Sequence, residues 1–384
     1  MSNGAEKVLP YHLSSDFSVV AEDDGEVVEV NEKNEIAVVK YKNGKVKAIN
    51  MGTKVVKNGA GGFFLTSKLD CSKLKKGKKF KKDDILAYNT RFFSDNSKDG
   101  TRFNIGTLVK VACMSSYADF EDATQVTTKL SRKLGTEICM PAEAIVGKNS
   151  NVDYIAKVGQ PVNVGDPLII YDQSSTDASF NKMLANIGSD LKEQITGMGK
   201  TPVKSHYTGV VQDIKIYATV DLDEMSPSLK KIVGSYYAGI KAKKAVVSKY
   251  RSKDGTEDYL FTEQDAKIET DDGKVMGVTV GDGVLFVFYV KYRDNLDIGD
   301  KIVNFAALKA VTGEIIPEGL EPFALSRPDE EISTTFAPLS VLKRMVPSIL
   351  LTMFGNKVLV ELKRNWLEQY QKDNPGFKPK DELY

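Results

Sequence analysis

The nine residues Val284–Tyr292, VLFVFYVKY, are the most apolar β-branched and aromatic run in the chain. They are too few to span a bilayer, which takes about 20 apolar residues in a helix. Their composition predicts a buried strand instead. Directly after it, Asp297–Lys309, DIGDKIVNFAALK, places a Gly-Asp turn inside strand-like sequence and sets Lys301 and Lys309 eight residues apart. Two ammonium groups at that spacing can face one phosphodiester backbone. The buried strand delivers the turn to a fixed place.

The region upstream is also β in pattern. Residues 17–60 alternate short apolar and polar positions, with Asp-Gly and Asn-Gly at the turns, which predicts antiparallel hairpins. Seven lysines fall between Lys73 and Lys82. As a charge run this suits a solvated turn; as chemistry, Lys73, Lys75, Lys76, Lys78 and Lys79 could clamp a nucleic-acid backbone. Around them lies a weak internal repeat. Gly77, Phe80, Asp83, Asp84 and Leu86 match the spacing of Gly159, Val162, Gly165, Asp166 and Leu168, and Gly299-Asp300 is a shorter third example. Strand, tight acidic turn, strand is a pattern of barrel and sandwich domains.

The helical signals are fewer. Ala123, Val126, Leu130 and Leu134 predict a helix over Glu121–Leu134, and residues 177–198 carry an apolar stripe from Phe180 to Ile195. Ser226 and Pro227 suit an N-cap and first helical position. Between these two, HYTGVVQDIKIYATVDL predicts a strand pair. Pro338–Phe354 predicts a helix kinked near Pro347, and Lys357–Tyr370 a last helix with Val358, Leu362 and Trp366 on a face suited to a partner.

Composition limits the function classes. A net charge of +1, from 53 basic and 52 acidic residues, gives no whole-molecule field for nucleic acid, so any basic surface must be local. Cys71, Cys113 and Cys139 are scattered, with only His12 and His206 to join them, so neither a zinc site nor a disulfide framework is expected. The N-terminal residues lack a secretory pattern, no run suits a membrane, and the Lys-Asp-Glu-Leu near the C-terminus is followed by Tyr384.

Three segments, in order, resemble the β subunit (second-largest subunit) of multisubunit DNA-dependent RNA polymerases. Gly299, Asp300, Lys301 and Lys309 match its Gly-Asp-Lys and second lysine. Asn104–Asp122, NIGTLVKVACMSSYADFED, is similar to the segment ending in Phe-Glu-Asp, here Phe120, Glu121 and Asp122. Ala337–Met345, APLSVLKRM, resembles Asn-Pro-Leu-Gly-Val-Pro-Ser-Arg-Met and puts the family's triphosphate-contacting arginine at Arg344. The chain departs from the family where SSYAD replaces a longer tryptophan-containing run, and where Phe305, Ala306, Ala307 and Leu308 replace Arg-His-Gly-Asn.

The resemblance covers roughly residues 15 to 355. It implies an α+β, β-rich fold: a double-psi β-barrel with an inserted barrel-sandwich (flap or wall) module and a few helices. The expected division is 1–135 for hybrid binding and the first part of the barrel, and 136–282 for the insert. Residues 283–354 would complete the barrel and 355–384 dock a partner. It further implies the C-terminal half of a split β subunit like those of giant bacteriophages, at work in the infected host cytoplasm or packaged in the virion. Lys301 and Lys309 would be catalytic, Arg344, Glu121 and Asp122 would bind substrate, and Glu121 with Asp122 would approach a second magnesium indirectly. Asp119, Glu121 and Asp122 lack the alternate spacing of the largest subunit's three-aspartate loop, so the principal Mg2+ site is expected on a β′-like partner. The other implied partners are an N-terminal β fragment, template DNA, nascent RNA and a promoter-specificity factor. A catalytically inactive scaffold subunit and a structural or regulatory phage protein are the rival classes.

Overall fold

A computed structural model describes residues 4–57, 63–96, 100–104, 106–118, 121–172, 200–250, 257–258, 274–275, 277–304, 308–343, 345 and 347–378. The chain is β-rich with a few helices, an α+β composition. It divides into two compact units, each discontinuous in sequence. One takes Glu6–Asn104 and Glu137–Tyr292; the other takes Met1–Ala5, Ile105–Thr136 and Arg293–Tyr384.

In the first of these units, Gly25–Asn31, Ile36–Tyr41 and Val46–Asn50 form antiparallel hairpins, as the alternation predicts. Val27, Ala37, Val39 and Ile49 pack with Leu74, Phe80 and Leu86 on one face. Ile36, Val38, Val46 and Ala48 pack on the other against Val246 and Val247 of the helix Pro227–Ser248. Covering both faces is why IAVVKY is apolar almost throughout. Ser226 caps that helix, its hydroxyl accepting the Leu229 N–H at 3.4 Å, with Pro227 in the first turn.

The apolar run lies in the strand Gly283–Asp294, at the centre of a six-stranded sheet between Gly209–Ala218 and Thr136–Gly147. Val284, Phe286, Phe288 and Val290 face one core and Leu285, Val287 and Tyr289 another. The expected strand pair over HYTGVVQDIKIYATVDL is one long strand, Gly209–Ala218, because its partner is the apolar run itself. The expected stripe at 177–198 lies outside the described residues.

The repeat is a repeat of hydrogen bonds. In Lys81–Asp84, Asn163–Asp166 and Asp297–Asp300, the fourth residue's N–H donates to the first residue's carbonyl at 3.1–3.2 Å. The aspartate carboxylate accepts the first residue's N–H at 2.8, 2.7 and 2.9 Å. The third residue, Asp83, Gly165 or Gly299, has a positive φ of 67, 92 or 94°. Its N–H and the aspartate's carbonyl clasp one residue of a neighbouring segment, Ala21, Ser205 or Thr312, at 2.8–2.9 Å. A second turn precedes each of the first two. Gly77 and Gly159 donate to Val27 and Val211, which donate back to Lys78 and Gln160.

The other unit is built on a five-stranded sheet ordered Val111–Cys113, Thr334–Phe336, Ala123–Thr127, Leu308–Ile316, Lys301–Asn304. Here the expected helix over Glu121–Leu134 is corrected: Ala123–Thr127 is a strand, and only Thr128–Leu134 is helical. The strand is held by polar partners that helical periodicity does not reveal. Thr124 Oγ1 meets Thr334 Oγ1 at 3.0 Å, and the Thr334 hydroxyl donates to the Gln125 carbonyl at 2.8 Å. The two C-terminal helices are corrected too. Pro338–Leu342 is a short helix that stops, and Ser348–Asp373 is one continuous helix after Pro347. Proline offers no N–H to carry the first helix onward but fits the start of the second.

Candidate functional site

Lys301–Asn304 and Leu308–Ile316 form an antiparallel hairpin in which Lys301 pairs with Val311 and Val303 with Lys309. Strand alternation therefore puts Lys301, Val303, Lys309 and Val311 on one face. All four are exposed, while Leu308 and Ala310 on the opposite face are buried with Phe336, Val341 and Ile349. The lysines are diagonal neighbours, a relation that sets Cα atoms about 7–8 Å apart. That suits two ammonium groups meeting successive phosphates.

The acidic segment reaches the same hairpin through a glycine. A Cβ on Gly313 would stand 2.6 Å from the Ala118 carbonyl oxygen, so the chain at Ala118 passes directly over that strand. Glu121 then turns in the left-handed region at φ 53°, and the Val311 N–H donates to the Asp122 carbonyl at 2.8 Å. The Asp122 carboxylate pairs with Lys343 at 3.1 Å. Asp122 thus ties the end of the short helix to the lysine hairpin. Tyr117 and Gln125 both donate to Glu314, whose carboxylate holds the Tyr117 hydroxyl above the usual phenol range.

Lys301, Lys309, Glu121 and Asp122 are therefore brought to one hairpin. Arg344 and residues 305–307 lie outside the described residues, and Leu308 is fully buried. Sequence reasoning missed Lys343, Gly313 and Tyr117. A glycine inside an otherwise β-branched strand, VTGEII, is the one signal that could have marked the close approach.

Glu121 and Asp122 offer the hard oxygen donors that Mg2+ takes, yet two carboxylates, one of them holding an ammonium, fall short of an octahedral shell. Among the described residues, no three His, Cys, Asp or Glu side chains are grouped to hold a metal. The three cysteines are unpaired thiols, and burial pushes Cys71 and Cys139 up to about 11.

The lysine run lies in the other unit. Lys73 pairs with Asp95 at 2.8 Å and sits 5.4 Å from the Tyr88 ring centre, and Lys76 pairs with Glu29 at 3.0 Å. Lys75, Lys78 and Lys79 are exposed and make no ion pair among the described residues.

The family described as RNA polymerase Rpb2, domain 6, matches residues 106–380, well over half of the chain. No curated protein matches it. Among the described residues, no helix is long and apolar enough to cross a membrane.

Proposed function

Because the chain belongs to the RNA polymerase Rpb2 domain 6 family, and so is a β-type subunit of a multisubunit DNA-directed RNA polymerase, we propose that the lysine hairpin is part of its active centre. The observation that carries this is the shared face of Lys301 and Lys309. In the reaction, the RNA 3′ oxygen attacks the α-phosphorus of the incoming nucleotide. A new P–O bond forms as the bond to pyrophosphate breaks, and the 3′ hydroxyl proton leaves to solvent. Lys301 and Lys309 hold the phosphates of RNA and substrate and offset the charge that grows on them. Arg344 grips the triphosphate with its planar fork. None of these groups takes the proton.

Asp122 is a positioning residue that fixes Lys343, and Glu121 lies where a metal-bound nucleotide would enter. Mg2+, held mainly by aspartates of a β′-like partner, supplies charge neutralisation when bound. On this reading the five-stranded sheet is the core of a double-psi β-barrel, the strands Thr136–Gly147 and Gly209–Ala218 belong to an inserted flap or wall module, and Glu6–Asn104 contributes to holding the RNA–DNA hybrid. The chain is the C-terminal part of a split β subunit of giant-phage type, working in the host cytoplasm or carried in the virion. Other polymerase subunits are its partners: an N-terminal β fragment, the β′-like chain and a promoter-specificity factor. The helix Ser348–Asp373 supports this, since Leu350, Phe354, Val358, Leu362, Trp366 and Tyr370 recur at every fourth position and are exposed.

The test is RNA extension on a DNA–RNA scaffold by the complex that co-purifies with this chain. Lys301→Ala or Arg344→Ala should slow extension about 10²–10³-fold, the loss typical of one preorganised donor, with the complex still assembled. Unchanged extension would remove the active-centre reading and leave a scaffold subunit.

A further inference from the structure

The duplicated turns supply an internal control for the lysine run. Lys75–Lys78 and Lys157–Gln160 have the same backbone hydrogen bonds, with Gln160 Oε1 also accepting the Lys157 N–H, and Lys81–Asp84 matches Asn163–Asp166, so positions correspond one to one. Lys76, Lys78, Lys79, Lys81 and Lys82 have as counterparts Val158, Gln160, Pro161, Asn163 and Val164; only Lys75 meets a lysine, Lys157. The third turn agrees, with Ile298 where Lys82 stands. Val158, Val164 and Ile298 are each at least 60% exposed, so the turn tolerates an aliphatic side chain in solvent there. The aspartate recurs in all three turns and makes the turn. Lys75 apart, the lysines do not recur, so the backbone does not require them.

Local acids form ion pairs with Lys73 and Lys76, and Asp24, held chiefly by Lys42, also feels the Lys81 charge, which leaves most of the run without an ion pair among the described residues. Asp84 is used by the Lys81 N–H, and Asp24 by Lys42 at 2.6 Å and the Lys82 N–H at 3.0 Å. Glu29 takes Lys76 and the Tyr250 hydroxyl. Lys75, Lys78, Lys79, Lys81 and Lys82 are exposed and make no ion pair among the described residues. The strand Lys79–Phe80 between the turns is two residues long, so these cations fall within about 25 Å of chain. A nucleic-acid strand offers a phosphate charge about every 3.4 Å of helix axis along the same length.

We propose that the paired turns Lys75–Lys78 and Lys81–Asp84 form a binding site for a nucleic-acid phosphate backbone, read for charge and not for sequence. The choice of nucleic acid over an acidic protein rests on the polymerase reading above. The site lies in the unit without the lysine hairpin.

The experiment measures binding of the full chain to a short labelled DNA–RNA hybrid by anisotropy across a salt series. The variant Lys78→Gln/Lys81→Asn/Lys82→Val borrows residues that the twin turns already accommodate, and its thermal melt should match wild type. If the three lysines meet phosphates, the slope of log affinity against log salt should fall by about 2.7, so wild type loses roughly 40-fold more affinity than the variant between about 50 and 200 mM salt. The triple arginine variant at the same positions keeps the charge and should keep the slope. Equal affinity and slope for the glutamine-asparagine-valine variant would overturn the proposal. Equal competition by polyglutamate of the same charge would also overturn it, in favour of an acidic polypeptide. Normal RNA extension by Lys301→Ala/Lys309→Ala would sink the active-centre reading yet leave this binding result as it stands.

Discussion

Gly313→Ala is the most direct probe of how the acidic segment is held over the lysine hairpin. The added Cβ would stand 2.6 Å from the Ala118 carbonyl oxygen, which is backbone and cannot swing aside as a side chain would. Ordinary contact begins near 3.4 Å, so the chain at Ala118 must lift by about 0.8 Å. Overpacking of this kind costs about 1–3 kcal/mol. A displacement near 1 Å at a positioned group costs about 10²-fold in rate. Urea unfolding of the chain should show the first loss, and RNA extension by the assembled complex the second. Gly147→Ala is the control, because its Cβ would meet only Ser150 Oγ, at 3.6 Å; it should change stability by less than about 0.5 kcal/mol. If Gly313→Ala leaves both the unfolding midpoint and extension at wild-type values, the segment is not held by that contact and the argument fails.

Asp84→Ala, Asp166→Ala and Asp300→Ala each remove the same carboxylate-to-backbone bond, so denaturation should show similar costs of about 1 kcal/mol, while Asp300→Ala should slow extension and Asp166→Ala should not. Burial, with Lys357, Arg364 and Arg327 nearby, pushes Lys110 down to about 8 despite its pairing with Glu330. Between that value and the usual 10.5, the unfolded chain binds the proton more tightly, so wild-type stability should rise with pH relative to Lys110→Met; denaturation at pH values near 7.5 and 9.5 checks it, and a flat or falling difference refutes it. Phe354→Glu and Trp366→Glu, at exposed positions, should leave the melt unchanged and abolish co-purification with other polymerase subunits. Retained subunits would show that this face is not their dock.

What the sequence made legible was local. VLFVFYVKY specified a strand covered on both faces, Ser226-Pro227 specified a helix start, and the spacing of Gly77 with Asp84 and Gly159 with Asp166 marked two copies of one pair of turns. The errors came where partners are distant. Ala123, Val126, Leu130 and Leu134 fit a helical period, but Thr124 and Gln125 are satisfied by Thr334 and Thr335, more than 200 residues away. Pro347 signalled an interruption, yet only packing decides between a kink and two helices. In the candidate site, the two lysines were visible from their spacing. The Asp122–Lys343 pair was not, because it joins residues from opposite sides of a long insertion.

That insertion also sets a clock. The strand Ala123–Thr127 pairs with Leu308–Ile316 on one side and Thr334–Phe336 on the other, and Thr128 reaches Ile316 across 188 residues. At about 5–20 residues per second of synthesis, both edges of this strand stay unpaired for roughly 10–40 s after it is made. Its buried residues, on both faces, are threonine and glutamine with a single valine, Val126, so the waiting strand is soluble where an aliphatic one would be sticky. The polar residues that bind this strand to its distant partners are thus also a safeguard while the ribosome makes the stretch between one half of the sheet and the other.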